Sequence, residues 1–412
     1  MTSNNNIPQG YKQTDLGIIP EDWEVKIFSQ VFDIFPNNTY PRDYMNNHCG
    51  IVKNIHYGDV LIKYPTLLNV NNCKIPYLDT TIKTKSYKLV QSGDVIIADT
   101  AEDDTVGKCV EVVNVDNEKI LAGLHTFFCS PKLPFASGWL GFYINSFNYH
   151  NQLIPYITGI KVSSISKSSI QETKLIIPPL AEQKAIATAL SDVDALIAAL
   201  EKKIAKKKLI KQGAMQQLLT GKKRLQGFTE EWVEKKLEDI CDIIMGQSPS
   251  SIYYNIQNVG LPLIQGNADL ENRQQIVRYY TSQITKVCEE GDVILSVRAP
   301  VGAVGKAIHK SCLGRGVCAI KINNDYIYHY LIYIEDDWNS FSKGSTFDSI
   351  NSDELNKFSL SLPITVKEQQ AIATILSDMD KEISDLEAKR DKYRLIKQGM
   401  MQKLLTGQIR LK

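Results

Sequence analysis

The sequence lacks the features that would place the protein in a membrane or in an oxidising compartment. No run of apolar residues approaches the ~18 that a membrane-spanning helix requires, and the N-terminal residues MTSNNNIPQG contain no apolar signal core. The eight cysteines are scattered without a CxxC pair, so they give no pattern of zinc ligands. We therefore expect a cytoplasmic protein with reduced thiols and no membrane partner.

The motifs of several enzyme classes are missing as well. A methyltransferase that acts on amino groups of bases needs an Asn/Asp-Pro-Pro-aromatic loop, whereas this chain offers only IPPL at residues 177–180. GKC at residues 107–109 and GKA at residues 305–307 lack the hydroxyl residue and the upstream glycine of a P-loop. No histidine has another four residues along, so no helical metal site is indicated. We expect neither a catalytic residue nor a metal ligand in this chain.

The most informative feature that is present is an internal repeat. Residues 182–225 recur without a gap as residues 368–411, at a constant offset of 186 and with 28 of 44 positions identical. Most of the chain lies between the two copies. A repeat of this length predicts a protein built as two similar halves, whose function is two-fold.

Each copy of the repeat has the pattern of a long amphipathic helix. Its apolar residues are spaced alternately four and three apart, which forms a heptad seam that an isolated helix cannot bury. The seam consists of Ile186, Leu190, Val193, Ile197, Leu200 and Ile204 in the first copy and of Ile372, Leu376, Met379, Ile383 and Leu386 in the second. Because Gly213 and Gly399 interrupt the pattern, we predict a helix over about residues 181–212, and its counterpart, each followed by a shorter helical piece that ends near Gly221 or Gly407.

Polar surface positions of the repeat are matched as closely as the seam. Lys211, Gln212 and Gln216 in the first copy correspond to Lys397, Gln398 and Gln402 in the second. Ordinary core helices of a hairpin are the alternative interpretation, but their packing would not require matched exposed residues. The match predicts two equivalent outer surfaces that bind two copies of the same partner.

The segments outside the helices also correspond in order, although more weakly. Residues 23–34 resemble 232–243, residues 93–108 resemble 291–306, and residues 159–178 resemble 344–363. In each half a GDV motif predicts a buried strand that opens at a Gly-Asp turn, and the VGK motif after it predicts a return strand. The sequence therefore predicts two mixed α/β domains of about 140 to 180 residues, each large enough for its own core.

Two motifs mark the ends of each long helix. PPLAEQKAIATAL and LPITVKEQQAIATIL stand at the beginnings, and both copies finish with LIKQGxMQxLLTGxxRL. Together with the two variable domains, these motifs resemble the specificity subunit of Type I restriction-modification systems over essentially the whole chain. The helical motifs and their spacing are highly specific, whereas the variable domains match only at the Trp, GDV and GxxxxSI positions.

The resemblance implies an α+β fold with a pseudo-two-fold internal repeat. Two mixed α/β target-recognition domains would be separated by two long helices that pack as an antiparallel coiled coil. The first recognition domain would span residues 1–180 and the second residues 226–363. The repeated spacer helices would lie within residues 181–225 and 364–412.

The resemblance also implies a function and a set of partners. Each domain would read one half of a bipartite, asymmetric site in double-stranded DNA. The helices would dock two methyltransferase subunits, through which restriction subunits join the complex. S-adenosylmethionine, ATP and magnesium would be bound by those partners, and no cofactor by this non-catalytic chain.

DNA reading would require side chains that present hydrogen-bond donors or acceptors to base edges, with cations on phosphates. A net charge of +1 does not indicate a nucleic-acid partner, so any basic surface has to be local. The candidates are Arg42, Lys53, Lys63, Lys83, Lys85 and Lys161 in the first domain and Gln247, Ser248, Asn267, Arg273, Arg298, Lys343 and Thr346 in the second. Arg298 is favoured because it ends the GDVILSVR segment, where the first half has Thr100. The acidic residues 102–104 either face away from DNA or accept from a cytosine amino group.

Two other functions are compatible with the residues alone. A coiled-coil scaffold or regulator, whose variable domains bind protein or carbohydrate, is the main alternative. A stand-alone enzyme is the third, and the missing motifs argue against it.

Overall fold

The computed structural model describes residues 7–82, 87–159, 161–338 and 349–411. The chain divides into two compact units, one made of residues 1–199 with 389–412 and the other of residues 200–388. Each unit contains one mixed α/β domain and parts of both long helices, so the predicted α+β class is confirmed. Among the described residues no helix combines the length and apolar character needed to cross a bilayer.

The domain of the first unit contains two main sheets. The GDVII run forms a fully buried strand, Val95–Ala98, in the middle of a five-stranded sheet, and the strand after the VGK motif pairs with it antiparallel. The order in this sheet is Phe32–Phe35, Thr126–Pro131, Val95–Ala98, Cys109–Val113, Leu67–Asn69. The order in the four-stranded sheet is Ile120–Ala122, Lys53–Ile55, Tyr77–Leu78, Met45–Asn46.

Smaller elements complete this domain. Three two-stranded ribbons pair Tyr11–Thr14 with Gly17–Pro20, Glu24–Ile27 with Lys174–Ile177, and Thr100–Ala101 with Ser163–Ser164. The short α-helices are Phe28–Val31, Tyr57–Ile62, Trp139–Ile144, Phe147–Leu153 and Lys167–Glu172, and the 3₁₀ helices are Arg42–Tyr44 and Ile154–Tyr156.

The domain of the second unit repeats this plan. Its six-stranded sheet has the order Asp242–Met245, Val317–Lys321, Val293–Ser296, Val304–Lys306, Gln274–Gln275, Leu270–Glu271. Its five-stranded sheet has the order Lys286–Cys288, Ser311–Leu313, Leu261–Ile264, Tyr279–Thr281, Tyr254–Asn255. A ribbon pairs Trp232–Lys236 with Ser359–Pro363. The remaining short helices are Tyr326–Tyr333 and Ser352–Asn356, with 3₁₀ turns at Leu237–Asp239, Ser251–Tyr253, Asn267–Asp269 and Glu335–Asp337.

The strand orders show that the weak internal similarity reflects one fold used twice. Four successive strands of each larger sheet occur in the same order, with the GDV strand third. The turns that open these strands are also alike, because Gly93 and Gly291 both adopt the left-handed region, with φ of 94° and 91°. The GDV strands and their return strands were therefore predicted correctly from the sequence.

Two helices of 39 residues each form the long elements, and we name them the central helix, Leu180–Leu218, and the C-terminal helix, Val366–Leu404. The predicted break at Gly213 and Gly399 is wrong, since both helices continue through these positions. A glycine costs a helix only about 1 kcal/mol relative to alanine, and tertiary packing outweighs that amount. The termination near the next glycines was predicted correctly, because Gly221 and Gly407 adopt left-handed φ angles of 68° and 72°.

Each unit shows by itself that the two helices run antiparallel. In the first unit Lys397 Nζ lies 2.6 Å from an Asp194 carboxylate oxygen, and Arg410 beyond the C-terminal helix reaches Glu182 at the start of the central helix. In the second unit Lys207 pairs with Glu382, and Lys211, one turn later, pairs with Asp380. Rising numbers on one helix therefore meet falling numbers on the other.

The heptad seam is buried along these helices. Eight of its eleven residues are buried and Val193, Met379 and Leu386 are half-buried. Its first turns pack into domain cores, since Ile186 and Leu190 belong to the core of the first unit and Ile372 and Leu376 to that of the second. The predicted boundaries at residues 180, 225 and 363 stay predictions, because the units assign half of each helix to each domain.

Candidate nucleic-acid interface

The two domains share a backbone frame where the buried GDV strand ends. In the first domain the Asp99 N–H donates to the His125 carbonyl at 3.1 Å, and the Asp99 carbonyl accepts from the Ile165 N–H at 2.9 Å. In the second domain Val297 occupies this place, donating to the Gly316 carbonyl at 2.9 Å and accepting from Ile350 at 2.8 Å. We call the loops gathered around these bonds the strand-end cluster of each domain.

A further bond and two strand pairings extend the correspondence. Gly123 donates to the Ile55 carbonyl at 2.9 Å, and Gly314 donates to the Ile264 carbonyl at 2.7 Å. The residue after Asp99 bridges to Ser164, and the residue after Val297 bridges to Ser349. These bonds make four pairs of positions equivalent, namely Asp99 with Val297, Thr100 with Arg298, Leu124 with Arg315, and His125 with Gly316. An equal frame thus carries unlike side chains.

In the first domain the strand-end cluster presents a carboxylate, a hydroxyl and an imidazole. Asp99 Oδ1 accepts from the Thr100 hydroxyl at 2.7 Å and lies 3.3 Å from His125 Nδ1. The His125 ring also packs edge-on against Tyr57, with 5.3 Å between the ring centroids. These four side chains are half-buried or exposed, so their polar atoms can meet a ligand from solvent.

Beside this cluster, a buried carboxylate holds two of the predicted cations. The Arg42 guanidinium forms two hydrogen bonds to the Asp59 carboxylate, at 2.6 and 2.7 Å, and Lys63 Nζ lies 2.9 Å from it. Burial alone would raise the pKa of the Asp59 carboxyl, but the hydrogen bonds from both cations hold it below its ordinary value. The Arg42 side chain keeps 43 % of its surface exposed, so it is fixed in place and still reachable.

The second domain places arginines at the equivalent surface. Arg298 and Arg315 are both exposed, and neither forms an ion pair with any residue in the described part of the chain. The Arg315 N–H donates to Ser248 Oγ at 3.0 Å, which fixes the loop between two glycines. Arg278 is held as Arg42 is, because its Nε donates at 2.7 Å to Asp269, a carboxylate that is 2 % exposed.

Several other predicted DNA-binding residues lie away from these clusters or are occupied. Lys53 Nζ is paired with Glu118 at 2.8 Å and the Lys53 side chain is only 11 % exposed, so its contact with DNA stays a prediction. Arg273 pairs with Glu335 at 2.5 Å, and Asn267 is half-buried. Lys161 and Gln247 are exposed, whereas Lys83, Lys85, Lys343 and Thr346 lie outside the described residues.

The acidic residues 102–104 are exposed, and Asp103 accepts a hydrogen bond from the Thr105 N–H at 2.9 Å. These residues are the acidic segment for which the sequence predicted either an orientation away from DNA or a hydrogen bond from a cytosine amino group. Asp99, three residues earlier, is instead the carboxylate that enters the strand-end cluster.

The matched polar residues on the helices divide into two groups. Lys211 and Lys397 pair with Asp380 and Asp194 on the opposite helix and are only 12 % and 20 % exposed, so their role in partner binding stays a prediction. Their identity between the repeats follows from the internal symmetry. Gln212, Gln216, Gln398 and Gln402 are exposed.

Exposed apolar residues accompany these glutamines at matched positions. Leu209 and Leu395 are each 69 % exposed, and Ile210 and Ile396 are 45 % and 39 % exposed. Space is also open over the two interrupting glycines, since a Cβ atom at either position would have no neighbour within 4 Å. We call residues 209–216 and 395–402 the LIKQG surfaces.

A second duplicated feature is an ion pair that the sequence did not reveal. Arg410 forms hydrogen bonds of 2.7 Å to both oxygens of Glu182 and lies over Trp23. Arg224 forms hydrogen bonds of 2.7 and 2.8 Å to the two oxygens of Glu368 and lies over Trp232. The two carboxylates are nearly fully buried. We call these groups the arginine braces. Each brace ties the segment that follows one long helix to the start of the other.

Sequence reasoning also missed Asp99, His125, Arg278 and Arg315. The sequence contains only a weak pattern that could have identified the first three residues, because these residues lie in loops that meet only in the folded domain. Arg315 had one, since an arginine between two glycines after a strand is placed on a tight, exposed loop. All eight cysteines are free thiols, and burial raises the pKa of Cys318 to about 12. No group of three or more potential metal ligands occurs within the described ranges.

The sequence matches one protein family twice. The model of the Type I restriction modification DNA specificity domain matches residues 20–210 and 229–393. The "Putative type I restriction enzyme MjaX specificity subunit" of Methanocaldococcus jannaschii is 31% identical over 426 aligned positions, which cover 98% of this chain and 97% of the relative. The type I restriction enzyme MjaVIII specificity subunit of the same organism is 27% identical over 62% of this chain and 66% of its own.

Solved structures share the fold. A chain from a study of the complex assembly and conformational transition of the type I R-M system has a TM-score of 0.55 at 23% identity, over 95% of this chain and 99% of that chain. A Type-I restriction-modification system S subunit from M. genitalium has a TM-score of 0.60 at 13% identity, over 98% of each chain. At these identities the likeness concerns the architecture alone.

Proposed function

Because this chain belongs to the family of Type I restriction-modification DNA specificity subunits, we propose that its two domains read the two halves of one bipartite, asymmetric DNA site. The observation that carries the proposal is the shared backbone frame of the strand-end clusters. Their hydrogen bonds agree within a few tenths of an ångström, whereas all four equivalent positions differ in charge or polarity. A scaffold of fixed geometry with variable side chains suits two domains that dock alike and read different bases.

We also propose that two copies of one methyltransferase chain bind the LIKQG surfaces. Each surface combines exposed leucine and isoleucine with glutamines, and a glycine leaves room for a close approach. Since the two surfaces are near-duplicates, a partner that fits one fits the other. Restriction subunits would then join through the methyltransferases.

This chain would contribute recognition and no chemistry. The proposal places S-adenosylmethionine in the methyltransferase chains and ATP with magnesium in the restriction chains. This division is supported by the missing base-flipping loop and P-loop in the sequence. The complex would act on chromosomal DNA in the cytoplasm.

A domain exchange tests the reading function. Residues 1–180 would be replaced by the corresponding domain of a related specificity subunit, and methylated bases would be mapped across the genome of the source cell. We expect one half of the methylated sequence to change and the other half to stay, because each domain has its own core and its own cluster. A control cell lacking the chain should lose the modified sequence entirely. If both halves changed together, independent reading would be wrong.

Charge substitutions test the docking surfaces. Leu209→Glu and Leu395→Glu should each remove one of two bound methyltransferase chains, and the double variant should remove both, as measured by native mass spectrometry of the purified complex. Ile252→Glu, at an apolar residue that is 79 % exposed on the second domain, is the matched control and should leave both bound. A complex that retained two methyltransferases in the double variant would place the docking surface elsewhere.

A further inference from the structure

We propose that the strand-end clusters are the elements that read bases and that the two clusters select different bases. Asp99 selects a cytosine in the first half-site, and Arg298 and Arg315 select guanine in the second. The inference rests on the proposed DNA reading. It adds which side chains read and which bases they choose.

Arg298 and Arg315 differ from the neighbouring arginines in having no ion-pair partner in the described part of the chain. The other arginines of this surface are occupied, since Arg273 pairs with Glu335 and Arg278 with Asp269. Arg298 and Arg315 have no carboxylate partner among the residues that the structure describes. A guanidinium without a protein partner presents its paired N–H donors outward, and guanine O6 and N7 in the major groove are the acceptors that match this fork.

Backbone hydrogen bonds fix the positions from which these two arginine side chains extend. Arg298 follows a strand that is buried on both faces, and its backbone bridges to Ser349. Arg315 is fixed by the bond from its N–H to Ser248 and by the bond from Gly314 to Ile264. Side chains that discriminate between bases need such a fixed origin, because a loosely held cation would find a phosphate instead.

In the first domain the charge of the strand-end cluster is reversed, because it contains an aspartate and no arginine at the equivalent positions. The place of Arg298 is taken by Thr100 and that of Arg315 by Leu124, while Asp99 replaces the apolar Val297. Thr100 and His125 both approach Oδ1 of Asp99, and Oδ2 has no hydrogen-bond partner in the described ranges. That oxygen can accept a hydrogen bond from an exocyclic amino group. A carboxylate in the major groove accepts from cytosine N4.

Cations that could contact DNA phosphates lie beside both clusters. Arg42 and Lys63 flank the first cluster and are anchored on Asp59, while Arg278 flanks the second and is anchored on Asp269. Each cluster therefore has an anchored cation beside it that can fix the register on the DNA backbone. The neighbouring side chains at the strand end are then free to read bases.

Selection from a pool of random duplexes tests the inference, using the tagged full-length chain purified with its native partners. We expect Arg298→Ala and Arg315→Ala each to lower the preference for guanine at one position of the second half-site, by roughly 5- to 150-fold. Asp99→Val, which removes both acceptor oxygens, should abolish the cytosine preference in the first half-site. Each variant should leave the other half-site unchanged.

Controls separate base reading from charge and from folding. Lys286→Ala, at an exposed cation on the strand Lys286–Cys288, should select the same sequence as the wild type. Arg298→Lys and Arg315→Lys keep the charge and a donor but lose the planar pair of donors, so they should weaken the guanine preference less than the alanine variants do. An equal loss of affinity for all sequences in the alanine variants would overturn the inference. A wild-type complex that enriched no bipartite sequence would instead overturn the proposed function itself.

Discussion

Two buried histidines make stability depend on acidity. Burial lowers the pKa of His56 and of His329 to about 4, and the nearby cations Arg42 and Lys211 contribute in the same direction. Asp59 and Asp380 oppose this shift but do not cancel it. His329 Nε2 lies 3.0 Å from Ser377 Oγ, a polar contact that a neutral ring can make. Both rings are therefore uncharged in the folded protein near neutral pH.

We predict that the free energy of unfolding falls as the pH drops from about 6.5 towards 4. In this window the unfolded chain binds protons on these histidines and the folded chain does not, so protonation favours unfolding. Urea midpoints at pH 7, 6 and 5 measure the effect. His329→Gln should flatten the dependence, and His48→Gln, at an exposed residue, should leave it unchanged. An equal slope in both variants would assign the pH dependence to other groups.

Breaking an arginine brace should destabilise one unit selectively. Arg410→Ala leaves Glu182 buried without its arginine partner, with only the Trp23 N–H at 3.0 Å and the Leu411 N–H at 3.3 Å donating to it among the described residues. A buried charge that loses its partner costs about 3 to 5 kcal/mol. We expect hydrogen exchange to accelerate in the core of the first unit and to remain unchanged in the second. Arg224→Ala should give the reverse pattern, and Lys222→Ala should affect neither unit.

At the residue scale the sequence could identify exposed cations but not their partners. Arg298 was singled out by its place at the end of a strand, and the structure leaves it exposed. Lys53 was predicted to contact DNA and Lys211 to contact a partner protein, yet they pair with Glu118 and Asp380. Those carboxylates are 65 and 169 residues away along the chain, a separation that no local pattern encodes.

At the scale of elements, periodicity predicted the long helices and the GDV strands. Heptad spacing and β-branched runs are local signals, and both were read correctly. The continuity through Gly213 and Gly399 was not predicted, because helix propensity at one residue says nothing about the packing of the turns on either side. The order of strands in the sheets follows from pairings between distant segments and was also beyond the sequence.

Lengthening the helices should lengthen the unread gap in the DNA site, if they act as the spacer that the family resemblance implies. Each helix of 39 residues is about 58 Å long. Inserting seven residues after Ala199 and seven after Ala388 preserves the heptad seam and adds about 10 Å, or about three base pairs. Methylome sequencing should show both half-sites unchanged and a wider gap.

An insertion after Ala199 alone provides the matched comparison. It shifts one helix past the other, so the pairs of Lys207 with Glu382 and of Lys397 with Asp194 could not both form. We expect this variant to lose methylation. If the double insertion methylated DNA with the original gap, the helices would not determine the spacing.

At the scale of the whole molecule, the end of each long helix packs into the core of the domain that does not immediately precede it in the chain. Met401, Leu404 and Leu405 pack with the core of the first unit, although they stand at the end of the chain. Met215, Leu218 and Leu219 occupy the same role in the core of the second unit. Each domain is thus completed by the tail of the helix that follows the other domain.

That exchange implies that half of this protein could serve as a whole one. Residues 1–225 carry the first domain and a tail that matches residues 400–411 at most core positions, so two such halves could complete each other as a homodimer. Because both domains would then be identical, we expect the dimer to direct methylation of a palindrome built from the first half-site. Replacing Met215 and Leu218 with serine should leave the half-chain monomeric in sedimentation experiments. In the present chain the two domains are covalently joined and differ in sequence, so the strand-end cluster of one can vary without that of the other.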